Sequence, residues 1–322
     1  MTIGSASANS GADRPAIDTS RSHGMRALLL AGSLRTSRAA PLAGALGLPV
    51  ASLPVDARCS VLAWWLEALL RGGVAEGVSV AVADETERSF YERIAVEADC
   101  DKGFGVWIDR NQHRGAGGTV RDHFDDFGAE SVLGGMLIAE CSTFGDFDLP
   151  GFVAAIDPSS DATVLAGPDG SPCGVMHLSV RAIRRIPTIG YFDLKEQLLP
   201  AIAAAGGRVP VVRSNGAPFR ISDRRSYLSL VDARRASGVS MISDSAQIDA
   251  SAFIEGGSLI GRGAIVKDRA IVSGSVVMPG AVVGSGAVVA RSVVPPGARI
   301  AAGSRIIDEV FASLASGGRE ES

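Results

Sequence analysis

Between Ile242 and Ile306, large aliphatic residues return at every sixth position, through Ile242, Ile248, Ile254, Ile260, Val266 and Val272. Four places after each stands a small residue (Ala246, Ala252, Ser258, Ala264, Ala270), with Val276 breaking the rule after Val272. One residue then drops out and the pattern resumes at Val277, Val283 and Val289. After a second one-residue slip it runs through Val294, Ile300 and Ile306. A period of six matches neither an amphipathic helix nor an alternating strand. It matches a parallel β-helix, in which each hexapeptide supplies one short strand of a prism. Aliphatics fill the interior, small residues fit the corners, and Gly261, Gly263, Gly284 and Gly286 give the backbone its freedom to turn. The twelve aliphatic starts, at three per turn, predict about four coils.

Upstream, apolar runs of strand length alternate with helical patterns. Strands are predicted at Arg26–Ala31, Val78–Val82, Gly105–Ile108, Met136–Ala139, Val175–Leu178 and Val209–Val212. Helices are predicted over Val61–Leu70 with Ser60 as N-cap, around Phe90 and Ile94, and after the cluster Gly115-Ala116-Gly117-Gly118. Further helices follow Asp148, with Pro150 near the start, and cover Val180–Arg185, Leu194–Ala205 and Arg224–Ser237. The stretch from Gly32 to Pro54 reads as a long loop. This alternation implies an α/β domain with a mostly parallel, Rossmann-like sheet and helices on its faces. Ligands in such sheets sit at the carboxyl ends of the strands. Here those ends are the Gly32 loop, the Gly115 loop and Glu140–Thr143.

The 322 residues leave room for two domains with cores of their own. We place the α/β domain at 25–240 and the β-helix at 241–310, with tails at 1–24 and 311–322. Either the first 24 residues are a disordered tail or the chain starts at Met25; no apolar segment marks them as a signal peptide. A net charge of −4, few aromatics and no Lys/Arg cluster argue against nucleic-acid binding. No apolar run reaches membrane-spanning length, so a soluble, cytoplasmic protein is expected. Cys59, Cys100, Cys141 and Cys173 lack metal-site spacing and read as reduced thiols.

The repeat resembles the left-handed β-helix of hexapeptide proteins. Many of those are acyltransferases that use a His between coils, but all four histidines here precede the repeat. The β-helix is therefore expected to serve as a scaffold and to carry a homo-oligomer, a dimer or a trimer. Three upstream stretches resemble the sugar-phosphate nucleotidyltransferases of the mannose-1-phosphate guanylyltransferase and glucose-1-phosphate thymidylyltransferase type, which often end in such a β-helix. They are Met25–Gly32 with Thr36 and Pro41-Leu42, the run Arg114 to Asp122, which is similar to RGTAGALRD, and Gly174 to Pro187 continuing through Gly190 to Pro200. The resemblance implies a nucleotide site at Ala31, Gly32, Ser33, Arg35, Thr36, Gly115, Gly117 and Gly118, and sugar-phosphate contacts at Gly174 and Lys195. The partner it implies is a nucleotide or sugar nucleotide, alongside a possible pairing with an active homologue.

The residues for the family's reaction are altered. In-line phosphoryl transfer needs positioning, cationic cover for the triphosphate, and carboxylates on Mg²⁺. Val50 stands where the family has its Lys, Arg35 replaces a loop glycine, Cys141-Ser142 replaces the metal-binding Gly-Asp, and Arg220 falls on the second metal Asp. The resemblance thus gives no confident catalytic residue, with Glu140 and Arg220 as candidates, and Mg²⁺ only if the protein turns over. Three readings stay open: an impaired nucleotidyltransferase-like binder or regulatory subunit, a working sugar-1-phosphate nucleotidyltransferase with a rebuilt site, and a structural β-helix assembly protein. The bland readings are Asp193 and Glu196 as a capping box, Trp64 and Trp65 as packing residues, His177 as a hydrogen-bonded core residue, and the Gly115 loop as a plain connection.

Overall fold

The computed structural model describes residues 25–31, 41–128, 132 and 134–312. In chain order the first domain runs β1 (Arg26–Leu30), α1 (Pro41–Leu46), α2 (Val61–Leu66), β2 (Gly77–Val82), α3 (Arg88–Glu97), β3 (Phe104–Ile108), α4 (Gly115–Phe127), β4 (Met136–Glu140) and β5 (Thr143–Phe144). It continues with α5 (Leu149–Ala154), β6 (Ala162–Ala166), β7 (Pro172–Leu178), α6 (Val180–Arg184), α7 (Leu199–Ala204), β8 (Val211–Arg213), β9 (Phe219–Arg220) and α8 (Arg224–Ala236). The main sheet has the order β3-β2-β1-β4-β7-β6-β8. It is parallel from β3 through β4; β7 lies antiparallel to both of its neighbours. Successive strand residues face opposite sides, and both sides of this sheet are covered. Leu29, Val80 and Leu137 therefore enter one apolar cluster while Leu28, Ile138 and Met176 enter the other.

Local chemistry sets the helix ends. Ser60 accepts from the Ala63 amide at 3.2 Å, Asp148 from Gly151 at 2.9 Å, and Asp223 from Ser226 at 2.7 Å. The predicted Asp193/Glu196 capping box is corrected in its partner. Asp193 accepts from the amides of Lys195 and Glu196, but the Asp193 amide donates to Gln197 Oε1 at 2.6 Å. The turn Leu194–Leu198 is wound in wide, π-helical form, so the returning side chain comes from four residues on instead of three. Within the predicted Gly32–Pro54 loop the structure has α1, which begins with Pro41 at its first position. Among the described residues no helix is long and apolar enough to cross a membrane.

The second domain is the parallel β-helix expected from the six-residue period. Its strands are β10 (Gln247–Ile248), β11 (Phe253–Glu255), β12 (Leu259–Ile260), β13 (Ile265–Val266), β14 (Ile271–Ser273), β15 (Val276–Val277), β16 (Val282–Val283), β17 (Val288–Ala290), β18 (Val293–Val294), β19 (Arg299–Ile300) and β20 (Arg305–Ile307). They form three parallel sheets, β10-β13-β16-β19, β11-β14-β17-β20 and β12-β15-β18, which fit a left-handed prism. Ile260, Val266, Val272, Val277, Val283, Val289 and Val294 are buried in its interior. Ile242 is not: it makes one bridge to Ile260 and stays 41 % exposed, because it sits at the open end with no coil beyond it.

The two slips in the period lie at one corner. Ile254 pairs with Val272, eighteen residues on, whereas Val272 pairs with Val289, seventeen on. The first passage through this corner uses Gly256-Gly257, and later passages use one residue: Gly274, Arg291 and Asp308, all with left-handed φ. The small residue there is Ser275, not the Val276 that broke the pattern. Ser258, Ser275 and Ser292 stack as a ladder: each hydroxyl accepts from an amide one coil on and donates to backbone carbonyls. The outward residues of β12, β15 and β18 (Leu259, Val276, Val293) join the core of the α/β domain with Tyr227, Leu230 and Val231 of α8. One prism face is thus spent on the neighbouring domain.

Candidate functional site

β4 ends at Glu140, and the next residues turn directly into the two-residue strand β5, paired antiparallel with β9. That pairing sets Arg220 opposite Thr143 and brings its guanidinium to Glu140 Oε2 at 3.1 Å. On the other side, Leu194 and Leu198 of the π-helical turn are buried, which leaves Lys195 between them pointing outward, and its Nζ meets Glu140 Oε1 at 2.5 Å. Glu140 therefore holds one cation on each oxygen. The carboxylate is largely shielded while both cations keep solvent contact, with side-chain exposures of 21 % for Glu140, 41 % for Lys195 and 65 % for Arg220. Two cations on one carboxylate leave a local charge of +1, and guanidinium and ammonium groups both grip phosphate well.

Gly174 shares this place. Its φ is +70°, and a Cβ there would lie 2.9 Å from Thr143 Oγ1 and 3.2 Å from Cβ of Glu140. A glycine lets β7 pass close beneath the Glu140 side chain. Ala31 follows β1 and is buried, next to the Leu30 carbonyl that accepts from the Cys141 amide. Gly32, Ser33, Arg35 and Thr36 lie outside the described residues.

The Gly115 loop opens α4 and packs on the segment that leads to Lys195. A Cβ on Gly115, whose φ is +71°, would come within 2.6 Å of the Tyr191 ring, and one on Gly117 within 2.7 Å of the Phe192 carbonyl. The Gly117 amide donates to that carbonyl at 2.9 Å, and the Phe192 amide donates to Arg114. On Gly118 a Cβ would run into the Arg114 side chain. Glycine is needed here by the chain's own close packing, so its presence is explained without a ligand. Arg114 is buried, ion-paired with Asp122 and hydrogen-bonded to the Pro187 carbonyl. No separate role was expected for this residue; the usable signal is its spacing of eight from Asp122, about two helical turns on from the N-cap of α4.

The bland expectations hold for several residues. Trp65 is buried, and Trp64 packs on Phe144 with ring centroids 4.7 Å apart. His177 Nε2 lies 2.8 Å from the Gly134 carbonyl, in the core. The four cysteines are free thiols, and burial pushes those of Cys59 and Cys141 up to about 12, so they stay protonated and unreactive.

The Mg²⁺ that the resemblance implies does not fit these residues. A hard cation wants several oxygen ligands. The positions that would supply them hold the buried thiol of Cys141 and the side chains of Ser142 and Arg220, and both oxygens of Glu140 are engaged by cations. Among the described residues no group of three or more His, Cys, Asp or Glu side chains is placed to hold a metal. A separate cleft of about 750 Å³ lies at the seam of the two domains. None of Glu140, Lys195 and Arg220 lines it, and the ion pairs Arg58–Asp244 and Arg262–Glu97 cross it.

No curated protein matches the chain. Residues 236–315 match the family model described as the GMPPB C-terminal domain. The β-helical part of the chain is thus similar to the hexapeptide-repeat region of mannose-1-phosphate guanylyltransferase-type proteins.

Proposed function

We propose that the α/β domain binds a nucleotide or nucleotide sugar and has lost turnover, with Lys195 and Arg220 meeting the phosphate charge that a metal ion meets in an active nucleotidyltransferase. The family of the β-helix supports a nucleotidyltransferase-like protein of sugar-nucleotide handling. The observation that carries the finer reading is the Lys195–Glu140–Arg220 cluster at the carboxyl end of β4. Without ligand, Glu140 neutralises and orients the two cations. An arriving phosphate competes with it, accepting the donors of both while the carboxylate turns back to water. The reading of Glu140 as a rebuilt metal ligand has less support, because both its oxygens face positive charge.

Calorimetric titration with a nucleotide sugar tests this. Lys195→Ala and Arg220→Ala should each weaken binding roughly ten- to a hundredfold, the worth of a charge-assisted hydrogen bond. Glu140→Gln should tighten it, since the competitor loses its charge. No binding by the natural chain, or binding indifferent to all three changes, would overturn the proposal. Loss of binding in Glu140→Gln would point instead to a carboxylate that the ligand needs.

A further inference from the structure

The cleft of about 750 Å³ at the seam of the two domains takes no part in the Glu140 cluster. One wall is a corner of the prism. Two residues past the paired positions Ile242, Ile260, Val277 and Val294 stand Asp244, Arg262, Pro279 and Pro296, one per coil, and all four line the cleft. The prolines fix the backbone there and make that part of the wall rigid and apolar. A second wall is one face of α3, where Phe90, Arg93, Ile94 and Glu97 follow the helical spacing of three and four. Leu48, Pro54 and Met278 add further apolar surface. The volume suits a small-molecule site, as does a largely apolar lining with a few charged groups to orient a ligand. The ion pairs that cross the cleft are well exposed, so they can shift for a ligand at little cost.

The charges of the lining are answered in all but one place. Asp56 meets Arg234 from outside the cleft at 2.7 Å, Asp244 meets Arg58 at 2.9 Å, and Glu97 meets Arg262 at 2.8 Å. Arg71 serves both Glu67 at 3.9 Å and Asp99 at 3.2 Å. Arg93 has neither an ion pair nor a hydrogen bond among the described residues. Its guanidinium is exposed, and its helix neighbours on the cleft side are Phe90 and Ile94.

We propose that this cleft binds a small organic anion, with an apolar ring body between α3 and the prism corner and one oxyanion group on Arg93. A guanidinium offers paired donors to a carboxylate, sulfonate or phosphate oxygen pair. Counting Arg234, the arginines here equal the carboxylates in number, so no net field draws the ligand in. Burial of the ring body therefore supplies the affinity, and Arg93 fixes the orientation. The lining comes from both domains, so a ligand held there binds only the folded, joined chain and stabilises it.

The probe 8-anilinonaphthalene-1-sulfonate has this chemistry, and its emission rises when it binds apolar surface. Titrated into the full chain, it should saturate a single site with a Kd on the order of 10 µM and raise the melting temperature. Arg93→Glu should weaken binding at least about tenfold, the worth of a charge-assisted hydrogen bond. N-phenyl-1-naphthylamine, the same body without the sulfonate, should bind the natural chain and Arg93→Glu within about twofold of each other. Ala57→Trp, which fills the cleft from a half-buried position, should remove the site. Arg220→Ala should leave the affinity within about threefold, which separates this site from the proposed nucleotide site. An unchanged melting temperature without probe will show that Arg93→Glu is folded, as expected for an exposed position. Emission that does not saturate by about 500 µM, fifty times the expected Kd, or Arg93→Glu without effect on the sulfonate, would overturn the proposal. So would a folded Ala57→Trp that still binds, or an Arg220→Ala as damaging as Arg93→Glu.

Discussion

Glu140 is the residue on which the site turns, and it does so by having no free oxygen. A carboxylate with one cation at 2.5 Å and another at 3.1 Å is a poor ligand for a third cation but a good spacer for two donors. A second residue carries a consequence for stability. His123 is fully buried on α4 between Trp107 and Phe127, with neither ring nitrogen hydrogen-bonded. Burial, helped by Arg26 and opposed by Asp126, lowers its pKa to about 4 from 6.5. The folded chain therefore refuses a proton that the unfolded chain accepts. The stability from neutral His123 is complete above pH 6.5 and is lost as pH falls from 6.5 through about 4. The loss reaches at most roughly 3 kcal/mol. Urea denaturation between pH 7 and 4 should show this slope, and His123→Leu should remove its share. His177, lowered in the same direction by burial, would keep a remainder. A pH profile identical in His123→Leu and the natural chain would contradict the assignment.

At the scale of elements, the β-helix was legible because its signal is long and repeated. Every coil restates which residue is inside, so the period survives two slips. The corner ladder was not legible, since Ser258, Ser275 and Ser292 fall on an irregular step and only the register shows them stacked. Ser275→Ala should cost about 1–3 kcal/mol, because it leaves the buried Ser292 amide without its acceptor; an exposed control, Ser251→Ala, should cost less than about 0.5. Equal denaturation midpoints for the two variants would contradict the ladder. In the α/β domain the strands with strong aliphatic runs were read to within a residue or two, except that β7 begins at Pro172, three residues before the expected Val175. β5 and β9 were missed because two residues carry no periodicity, and these are the strands that aim Arg220. β6 was missed although Asp157-Pro158-Ser159-Ser160-Asp161 and Gly167-Pro168-Asp169-Gly170 frame it as turns, because a run as short as Ala162–Ala166 carries little pattern of its own. Candidate site residues such as Glu140, Gly174, Lys195 and Arg220 came from resemblance, and their convergence came only from tertiary structure.

On the scale of the whole molecule, the two domains share a core. Leu259, Val276 and Val293 of the prism pack with α8, while Tyr227 of α8 donates to the Pro54 carbonyl at 2.6 Å and Arg234 pairs with the shielded Asp56 at 2.7 Å. The β-helix thus supports the domain that bears the Glu140 cluster and leaves another face free. If Lys195 and Arg220 stand in for a metal in a binding site without turnover, ligand binding is independent of Mg²⁺. Titration of the full chain with a nucleotide sugar, once with Mg²⁺ and once with EDTA, tests it most directly when paired with an assay for pyrophosphate from a nucleoside triphosphate and a sugar-1-phosphate. Affinities equal within about threefold, less than 1 kcal/mol, and no pyrophosphate are expected. Binding that disappears in EDTA, or pyrophosphate released at about 1 s⁻¹ or faster, would contradict this.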